Sequence, residues 1–193
     1  MFAVRFHGRG GQGVVTAAEL LSVAAFGEGR HSQAFPTFGS ERTGAPIMAF
    51  CRIDDRPIRA HDPITRPDAL VVQDPTLLHL AAVLEGLNAD TFLLVNSSRT
   101  TQELGLGLLV PGLDPARAVS VAATELARKH LGRPMPNAAM LGAFAALTGV
   151  VALDSVTTAI RSRFPGALGD ANAAAAVEAH DLVLEQKGRY ADA

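Results

Sequence analysis

Apolar residues recur along the chain in two patterns that predict alternating strands and helices. Short apolar runs such as Leu93-Leu94-Val95 are typical of strands covered on both faces of a parallel sheet. In Val14–Phe26, apolar residues recur at intervals of three and four and therefore share one face of a helix. The N-terminal part of the chain thus predicts a strand–helix–strand unit, which is normally parallel and right-handed. The predicted strands are Phe2–Phe6, His31–Phe35, Ile47–Ile53, Ala69–Gln73, Thr91–Val95, Leu106–Val110 and Ala118–Ala122.

This alternation is interrupted once and then gives way to helices. Residues 45–60 predict an inserted β-hairpin, with Asp54-Asp55 as its turn and Pro57-Ile58-Arg59 as a short or edge strand. The predicted fold class is α/β: a Rossmann-like, mostly parallel sheet with an inserted β-hairpin and a helical C-terminal layer. We expect a single domain over residues 1–193, with the sheet core in 1–122 and a mainly helical part in 123–193. The later predicted helices are Thr76–Leu84, Thr124–Leu131, Pro136–Thr148, Leu153–Phe164 and Asp170–Lys187.

A glycine-rich turn, Gly8–Gly13, follows the first predicted strand and matches G-x-G-x-x-G. Glycines let a backbone approach a phosphate, and a helix N-terminus attracts one, but a tight turn also needs glycines for its own geometry. A nicotinamide or flavin site requires an acidic residue at the end of the second strand, about 20 residues further on. That strand ends in Gln33-Ala34-Phe35-Pro36, so a standard NAD or FAD site is disfavoured. The turn either holds another phosphate or is purely structural.

The loop 36–44 is polar and punctuated by proline and glycine, and it carries Glu41 and Arg42 between glycines. These two residues form either a surface ion pair of small energetic value or an ordered element that faces an anionic ligand or a partner. Both interpretations stay open from the residues alone. Asp74-Pro75 and Asn96-Ser97-Ser98 are expected at the same sheet edge, where open α/β sheets bind ligands.

Composition narrows the possible functions. The chain is 48% apolar and 19% charged with a net charge of −2, which is ordinary for a globular protein and argues against general nucleic-acid binding. It has no apolar run of the roughly 18–20 residues that cross a membrane, and Arg5 interrupts any signal-peptide core, so we expect a cytoplasmic protein. Cys51 is the single cysteine and is interpreted as a buried apolar residue, because an iron–sulfur cluster takes about four thiolates. The six scattered histidines predict no metal site.

Three segments together resemble a known family: the turn Gly8–Gly13, the loop 36–44 and Pro136–Ala143. They are similar to the gamma subunit of 2-oxoacid:ferredoxin oxidoreductases, a family of pyruvate, 2-oxoisovalerate and 2-oxoglutarate enzymes with phenylglyoxylate and indolepyruvate relatives. The resemblance runs from Phe2 to about His180 in family order. Thr43 stands where many relatives have a second glycine, and the segment after Gly44 is less polar than the resemblance leads us to expect, which leaves the substrate class open.

The resemblance implies a non-redox gamma subunit in a multisubunit enzyme that oxidatively decarboxylates a 2-oxoacid, usually to an acyl-CoA. It implies alpha, beta and ferredoxin-like delta partner subunits that carry thiamine diphosphate, Mg and iron–sulfur clusters. The electron acceptor would be ferredoxin or an NAD-reducing subunit, with no nucleic-acid or membrane partner. Gly169-Asp170-Ala171-Asn172 is interpreted as a helix cap rather than a thiamine diphosphate signature.

The same resemblance implies that this chain covers the active site, helps to bind coenzyme A, and contains no catalytic residue or metal ligand. Three alternatives stay open: an aryl-2-oxoacid (phenylglyoxylate or indolepyruvate) enzyme, a pure scaffold without a ligand, and an independent NAD(P)- or flavin-dependent oxidoreductase. The residues expected to line the coenzyme A or substrate access side are Gly8, Gly10, Gly11, Gln12, Gly13, Pro36, Gly39, Glu41, Arg42 and Gly44.

Overall fold

A six-stranded mixed sheet, with the strand order β2-β3-β1-β4-β5-β6, forms the centre of the fold. The computed structural model describes residues 1–37 and 44–191, with side chains up to residue 188. β1 pairs in parallel with β4, β4 with β5 and β5 with β6, whereas β3 is antiparallel to both β1 and β2. The predicted α/β class with a mostly parallel sheet is confirmed. The strands are β1 Phe2–Arg9, β2 His31–Pro36, β3 Pro46–Asp54, β4 Ala69–Val72, β5 Phe92–Asn96 and β6 Ala118–Val121.

Helices cover both faces of the sheet. On one face, α1, α5, α6 and α7 share a large apolar core with the strands, and α5 is buried along almost its whole length because it lies beneath α7. On the other face, short helices cover β4 and β5 through residues such as Leu77 and Leu106. The described residues form α1 Val14–Gly27, α2 Ala81–Leu84, α3 Leu106–Leu109, α4 Ala123–Leu131, α5 Asn137–Thr148, α6 Leu153–Arg163 and α7 Ala167–Ala191, with 3-10 helices at Pro75–His79 and Pro115–Arg117.

The predicted hairpin over 45–60 is wrong. β3 lies between β1 and β2 and pairs with both, while Pro57-Ile58-Arg59 forms no strand. Both edges of β3 are therefore already paired, and the buried guanidinium of Arg52 instead holds the following segment through the carbonyl oxygens of Ala60, at 3.3 Å, and Asp62. β2 and β1 run in the same direction, as predicted, but they are not neighbours.

Two predicted elements on the second face also differ from the structure. Leu106–Val110 is not a strand, because Leu106 and Val110 point into the core at helical spacing while Leu108 is 89% exposed. The single helix predicted over Thr76–Leu84 is split into a 3-10 helix and α2, since Leu80 between them is extended.

The C-terminal helix begins earlier than predicted. α7 starts at Ala167, so Gly169-Asp170-Ala171-Asn172 lies inside the helix and the cap interpretation is wrong. The Nδ2 of Asn172 donates to the carbonyl oxygen of Leu168 at 2.8 Å, and Asp170 accepts from the Nε of Arg161 at 3.0 Å. Gly142 of α5 is packed so tightly that an added Cβ would lie 1.9 Å from the carbonyl oxygen of Ala176 in α7.

Candidate functional site

The glycine-rich turn lies at the point of the sheet where the strand order reverses. Along the sheet, β1 is followed on one side by the antiparallel β3 and on the other by the parallel β4, and the turn after β1 lies beside the end of β4. Open α/β sheets bind ligands in the crevice outside the carboxyl ends of their strands at such a switch point. The turn is therefore in the position where this class of fold usually binds small molecules.

Two glycines of the segment Gly8–Gly13 are needed for close packing, whether or not a ligand binds. Gly8 belongs to β1 rather than to the turn, and a Cβ on it would lie 2.5 Å from the Cγ2 of Val14 and 3.2 Å from the Cβ of Gln73. Gly13 precedes α1 with a φ of 72°, and its added Cβ would lie 2.7 Å from the Nδ2 of Asn137. These two positions let the turn, α1 and α5 approach one another closely.

Gly11 differs from them. It is exposed, its φ is +94°, and an added Cβ would meet no atom of the described residues within 4 Å. The glycine is required here by backbone conformation and not by packing, because L side chains rarely adopt this φ. Gly11 is thus the exposed part of the turn's backbone.

Several backbone donors of the turn are already bonded within the chain. The N–H of Arg9 donates to the Oε1 of Gln12 at 2.7 Å, and the N–H of Gln12 donates to the carbonyl oxygen of Arg9 at 3.0 Å. The N–H of Gly10 donates to the carbonyl oxygen of Ala45 at 2.9 Å, and Gly10 in turn accepts from the N–H of Gly44 at 3.2 Å. The turn therefore has a rigid shape before any ligand arrives.

The hydrogen bonds of the turn bring together only some of the residues that the sequence predicts to line the site. Gly44 lies against Gly10, and Pro36 ends β2, where the next residue, Thr37, donates its N–H to Met48 at 3.0 Å. The predicted site residues Gly39, Glu41 and Arg42 lie outside the described residues.

Sequence reasoning did not assign Arg9 and Asp74 to the site, yet they connect the turn to β4. The Nε of Arg9 lies 3.0 Å from the Oδ2 of Asp74, and the Nε2 of Gln12 donates to the same oxygen at 3.1 Å. The sequence did contain a signal for this ion pair. Arg9 and Asp74 have opposite charges, and Gly8–Gly13 and Asp74-Pro75 were both expected at the same edge of the sheet.

Two buried polar side chains near the turn also escaped sequence reasoning. Gln73 is fully buried, and neither polar atom of its amide has a partner among the described residues. The Nε2 of the buried His7 likewise has none in that part of the chain, and burial, assisted by the charge of Arg5, lowers the pKa of His7 to about 4. Neither residue stands out by sequence, because each follows apolar residues in a strand.

The loops after β5 and β6 border a separate cleft of about 680 Å³. Asn96, at the end of β5, donates to the carbonyl oxygen of Gln73 at 2.8 Å and accepts from the N–H of Thr124, in the first turn of α4, at 3.1 Å. The lining of the cleft combines apolar side chains such as Val121 and Leu182 with the polar side chains of Ser97, Ser98, Thr100, Ser120, Glu125 and Gln186.

The residues that the structure describes do not fit a metal-based redox centre. Cys51 is buried, and burial raises the pKa of its thiol, so it is neither exposed nor inclined to become a thiolate ligand. Within residues 1–37 and 44–191, no three His, Cys, Asp or Glu side chains group closely enough to hold a metal. Gly169-Asp170-Ala171-Asn172 is part of a helix and does not fit a diphosphate-and-metal site.

No helix in the described part of the chain is long and apolar enough to cross a membrane.

These features define a Rossmann-like α/β protein with a pre-shaped glycine turn at the switch point of its sheet. A family model described as pyruvate ferredoxin/flavodoxin oxidoreductase matches residues 3–182. The chain therefore belongs to the pyruvate ferredoxin/flavodoxin oxidoreductase family. The resemblance seen in the three sequence segments is confirmed, and the chain is a gamma-type subunit of an oxidoreductase.

Individual relatives are similar over nearly their whole length. The chain is 50% identical over 184 residues to the pyruvate/ketoisovalerate oxidoreductases common subunit gamma of Thermococcus kodakarensis, covering 95% of this chain and 98% of that one. It is 47% identical over 181 residues to the pyruvate synthase subunit PorC of Methanothermobacter marburgensis, covering 94% and 97%. The crystal structure of the pyruvate oxidoreductase subunit PORC of Thermotoga maritima matches with a TM-score of 0.81 at 36% identity, covering 93% and 95%.

Proposed function

We propose that this chain is the gamma subunit of a 2-oxoacid oxidoreductase that acts on pyruvate or a ketoisovalerate in the cytoplasm. Partner alpha, beta and delta subunits carry thiamine diphosphate, Mg and the iron–sulfur clusters, and they pass electrons to ferredoxin. The names of the relatives reported above support this choice of substrate over phenylglyoxylate or indolepyruvate. The described residues do not fit an iron–sulfur cluster or another metal-based redox centre, and this supports the assignment of the electron-transfer chemistry to partners.

Within this enzyme, the chain covers the active site and helps to bind coenzyme A at the Gly8–Gly13 turn. The observation that carries this part is the exposed, positive-φ peptide at Gly11, which the rest of the turn holds in a fixed shape at the sheet's switch point. An exposed backbone at the N-terminal end of α1 suits an anionic group such as the diphosphate of coenzyme A.

A scaffold without a ligand is the second candidate, and a specific observation favours it. Gly8 and Gly13 have packing reasons, and the N–H groups of Gly10 and Gln12 are already bonded within the chain. In this case the rigid turn docks a neighbouring subunit and contacts no substrate.

An independent NAD(P)- or flavin-dependent enzyme is disfavoured by the topology as well as by the missing acid. In the dinucleotide-binding fold, the second strand lies beside the first and its terminal acid reaches the ribose. Here β3 separates β2 from β1. The end of β2 is therefore displaced from the turn by one strand.

The proposal is tested first by assembly. Co-expression with alpha, beta and delta subunits should yield a complex that contains this chain, thiamine diphosphate and iron–sulfur clusters, and that oxidises pyruvate or ketoisovalerate. If this chain remains alone and monomeric when co-expressed with such partners, the proposed assembly with alpha, beta and delta subunits is wrong.

The coenzyme A part is tested with Gly11→Ala in the assembled complex. We expect the KM for coenzyme A to rise several-fold while the KM for the oxoacid stays unchanged, because alanine at this φ distorts the exposed peptide. Gly29→Ala is the matched control: Gly29 has a φ of +80°, an added Cβ meets none of the described atoms within 4 Å, and it follows the far end of α1. Equal effects of the two substitutions on the KM for coenzyme A would favour the scaffold instead.

A further inference from the structure

The carboxylate of Asp74 is a shared acceptor for the turn and for the residues that follow β4. Its Oδ2 accepts from the Nε of Arg9 at 3.0 Å and from the Nε2 of Gln12 at 3.1 Å. Its Oδ1 accepts from the N–H of Thr76 at 3.0 Å and from the hydroxyl of Thr76 at 2.6 Å, which caps the 3-10 helix Pro75–His79. One side chain thus joins the ends of β1 and β4.

Asp74 is only 13% exposed, yet its surroundings keep it ionised. Burial raises its pKa, but the hydrogen bonds from Thr76 and Gln12 and the charge of Arg9 outweigh burial, and the pKa lies below its ordinary value. Charge-assisted hydrogen bonds of this kind are stronger than neutral ones. The carboxylate therefore fixes its donors more firmly than a neutral acceptor would.

Arg9 extends this connection to a third element. Its Nε binds Asp74, its Nη2 donates to the Oγ1 of Thr76 at 2.8 Å, and its Nη1 donates to the carbonyl oxygen of Gly44 at 3.1 Å. The planar guanidinium has a fixed fork of donors, so binding at Nε sets where Nη1 points. Through Arg9, Asp74 thus adds a link between Gly44 and the turn beside the direct backbone bonds that Gly10 makes with Gly44 and Ala45.

We propose that Asp74 is a positioning residue, which sets the conformation of the glycine turn and the position of Gly44 through Arg9 and Gln12 and thereby controls how the turn meets its ligand. This inference rests on the proposed function, because it names coenzyme A as the ligand whose binding is affected. Asp74 need not touch the ligand, since its contacts are with the two residues that shape the turn.

The chain contains a matched control for this role. Asp114-Pro115 repeats the motif Asp74-Pro75: each aspartate precedes a proline and caps a 3-10 helix by accepting an N–H two residues on, at 2.9 Å from Ala116 for Asp114. Asp114 otherwise pairs only with the nearby Arg117, at 3.8 Å, among the described residues. Substitution of Asp114 therefore removes the same kind of cap without touching the turn.

The experiment compares Asp74→Ala with Asp114→Ala in the assembled four-subunit complex. We expect Asp74→Ala to raise the KM for coenzyme A about tenfold or more, because a small misplacement of a binding group costs up to about a hundredfold. The kcat and the KM for the oxoacid should stay within about twofold of the wild type. Asp114→Ala should change none of these constants.

Conservative variants separate charge from shape and provide a route if Asp74→Ala does not fold. Asp74→Asn can still accept from Thr76 but lacks the charge that holds Arg9, and Arg9→Lys keeps the charge but loses the fork. Each should raise the KM for coenzyme A, to a smaller extent than Asp74→Ala, whereas Asp114→Asn should not. A structural defect alone would lower the yield of complex without this selective effect on KM.

The possible failures are distinguishable when Gly11→Ala is measured alongside. If Gly11→Ala raises the KM for coenzyme A and neither Asp74 variant does, the positioning role is overturned and the proposed function stands. A second outcome is that none of these variants changes that KM, while Asp74→Ala and Asp74→Asn both weaken co-purification of the partner subunits more than the Asp114 variants do. In that case the coenzyme A assignment fails, and the positioning role for a ligand is overturned with it.

Discussion

Gly13 and Asn137 lie so close together that a Cβ on Gly13 would stand 2.7 Å from the Nδ2 of Asn137. Gly13 ends the glycine turn at the start of α1, and Asn137 is the buried first residue of α5. This contact joins two of the three sequence segments that resemble the family, although more than a hundred residues separate them along the chain. The shared requirement is steric: the turn can reach α5 only without a side chain at residue 13.

Gly13→Ala should therefore lower the free energy of unfolding by about 2–3 kcal/mol, from backbone strain at φ +72° plus crowding against Asn137. Urea unfolding followed by circular dichroism measures this loss. Gly149→Ala is the control, because Gly149 has a φ of +65° and an added Cβ meets nothing within 4 Å, so it reports the backbone strain alone. If both variants lose the same free energy of unfolding, the contact with Asn137 does not affect stability.

The contact between α5 and α7 gives a second stability prediction. A Cβ on Gly142 would lie 1.9 Å from the carbonyl oxygen of Ala176, which is backbone and cannot rotate away. Gly142→Ala should therefore force the two helices apart and lower the free energy of unfolding by about 3 kcal/mol or more. Thermal unfolding of Gly142→Ala and of Gly188→Ala tests this. Gly188 lies in α7 with open space around it, so its substitution should be neutral or slightly stabilising, and a loss similar to that of Gly142→Ala would contradict the steric explanation.

Most of the strands and long helices could be predicted because their signals are local. Val14–Phe26 and Pro136–Thr148 differ by only a residue or so at either end from α1 and α5, since helical periodicity and flanking glycines are visible in sequence. The position of β3 could not be predicted in this way, because an apolar strand is compatible with several neighbours. Its insertion between β1 and β2 depends on tertiary pairing and not on local propensity.

At the candidate site, the glycines could be predicted but their connections could not. The pattern of Gly8–Gly13 indicated a turn at the carboxyl edge, and this is where the turn lies. Arg9 and Asp74 meet only because β1 and β4 are neighbours in the sheet, although 65 positions separate them in sequence. Their pairing is a property of the topology, which sequence periodicity does not encode.

Cys51 should be unreactive in the folded protein. It is buried in β3 and its thiol pKa is raised by burial, so little thiolate is available for alkylation. Labelling with iodoacetamide followed by mass spectrometry should show no modification of the native chain and full modification in denaturant. Rapid labelling of the native chain would mean that β3 opens readily, and the burial of Cys51 would then not describe the protein in solution.

His7 makes the folding stability depend on pH in a defined window. Burial, together with Arg5, lowers its pKa to about 4, against an ordinary value of 6.5. Between these values the unfolded chain takes up a proton that the folded chain does not, so His7 lowers stability as the pH falls from 6.5 towards 4. Its largest contribution to the slope is about 1.4 kcal/mol per pH unit, which corresponds to one proton.

Substitution of His7 by glutamine, which is neutral and polar, should remove this contribution. The free energy of unfolding, measured by urea titration from about pH 7.5 to about pH 4.5, should then fall less steeply for His7→Gln than for the wild type. The free energy of unfolding of the wild type minus that of His7→Gln should therefore decrease steadily as the solution is acidified, whatever the cost of the substitution near neutral pH. If the two stability curves run parallel through this range, His7 takes up its proton in the folded protein as readily as in the unfolded chain, and the burial argument for this residue fails.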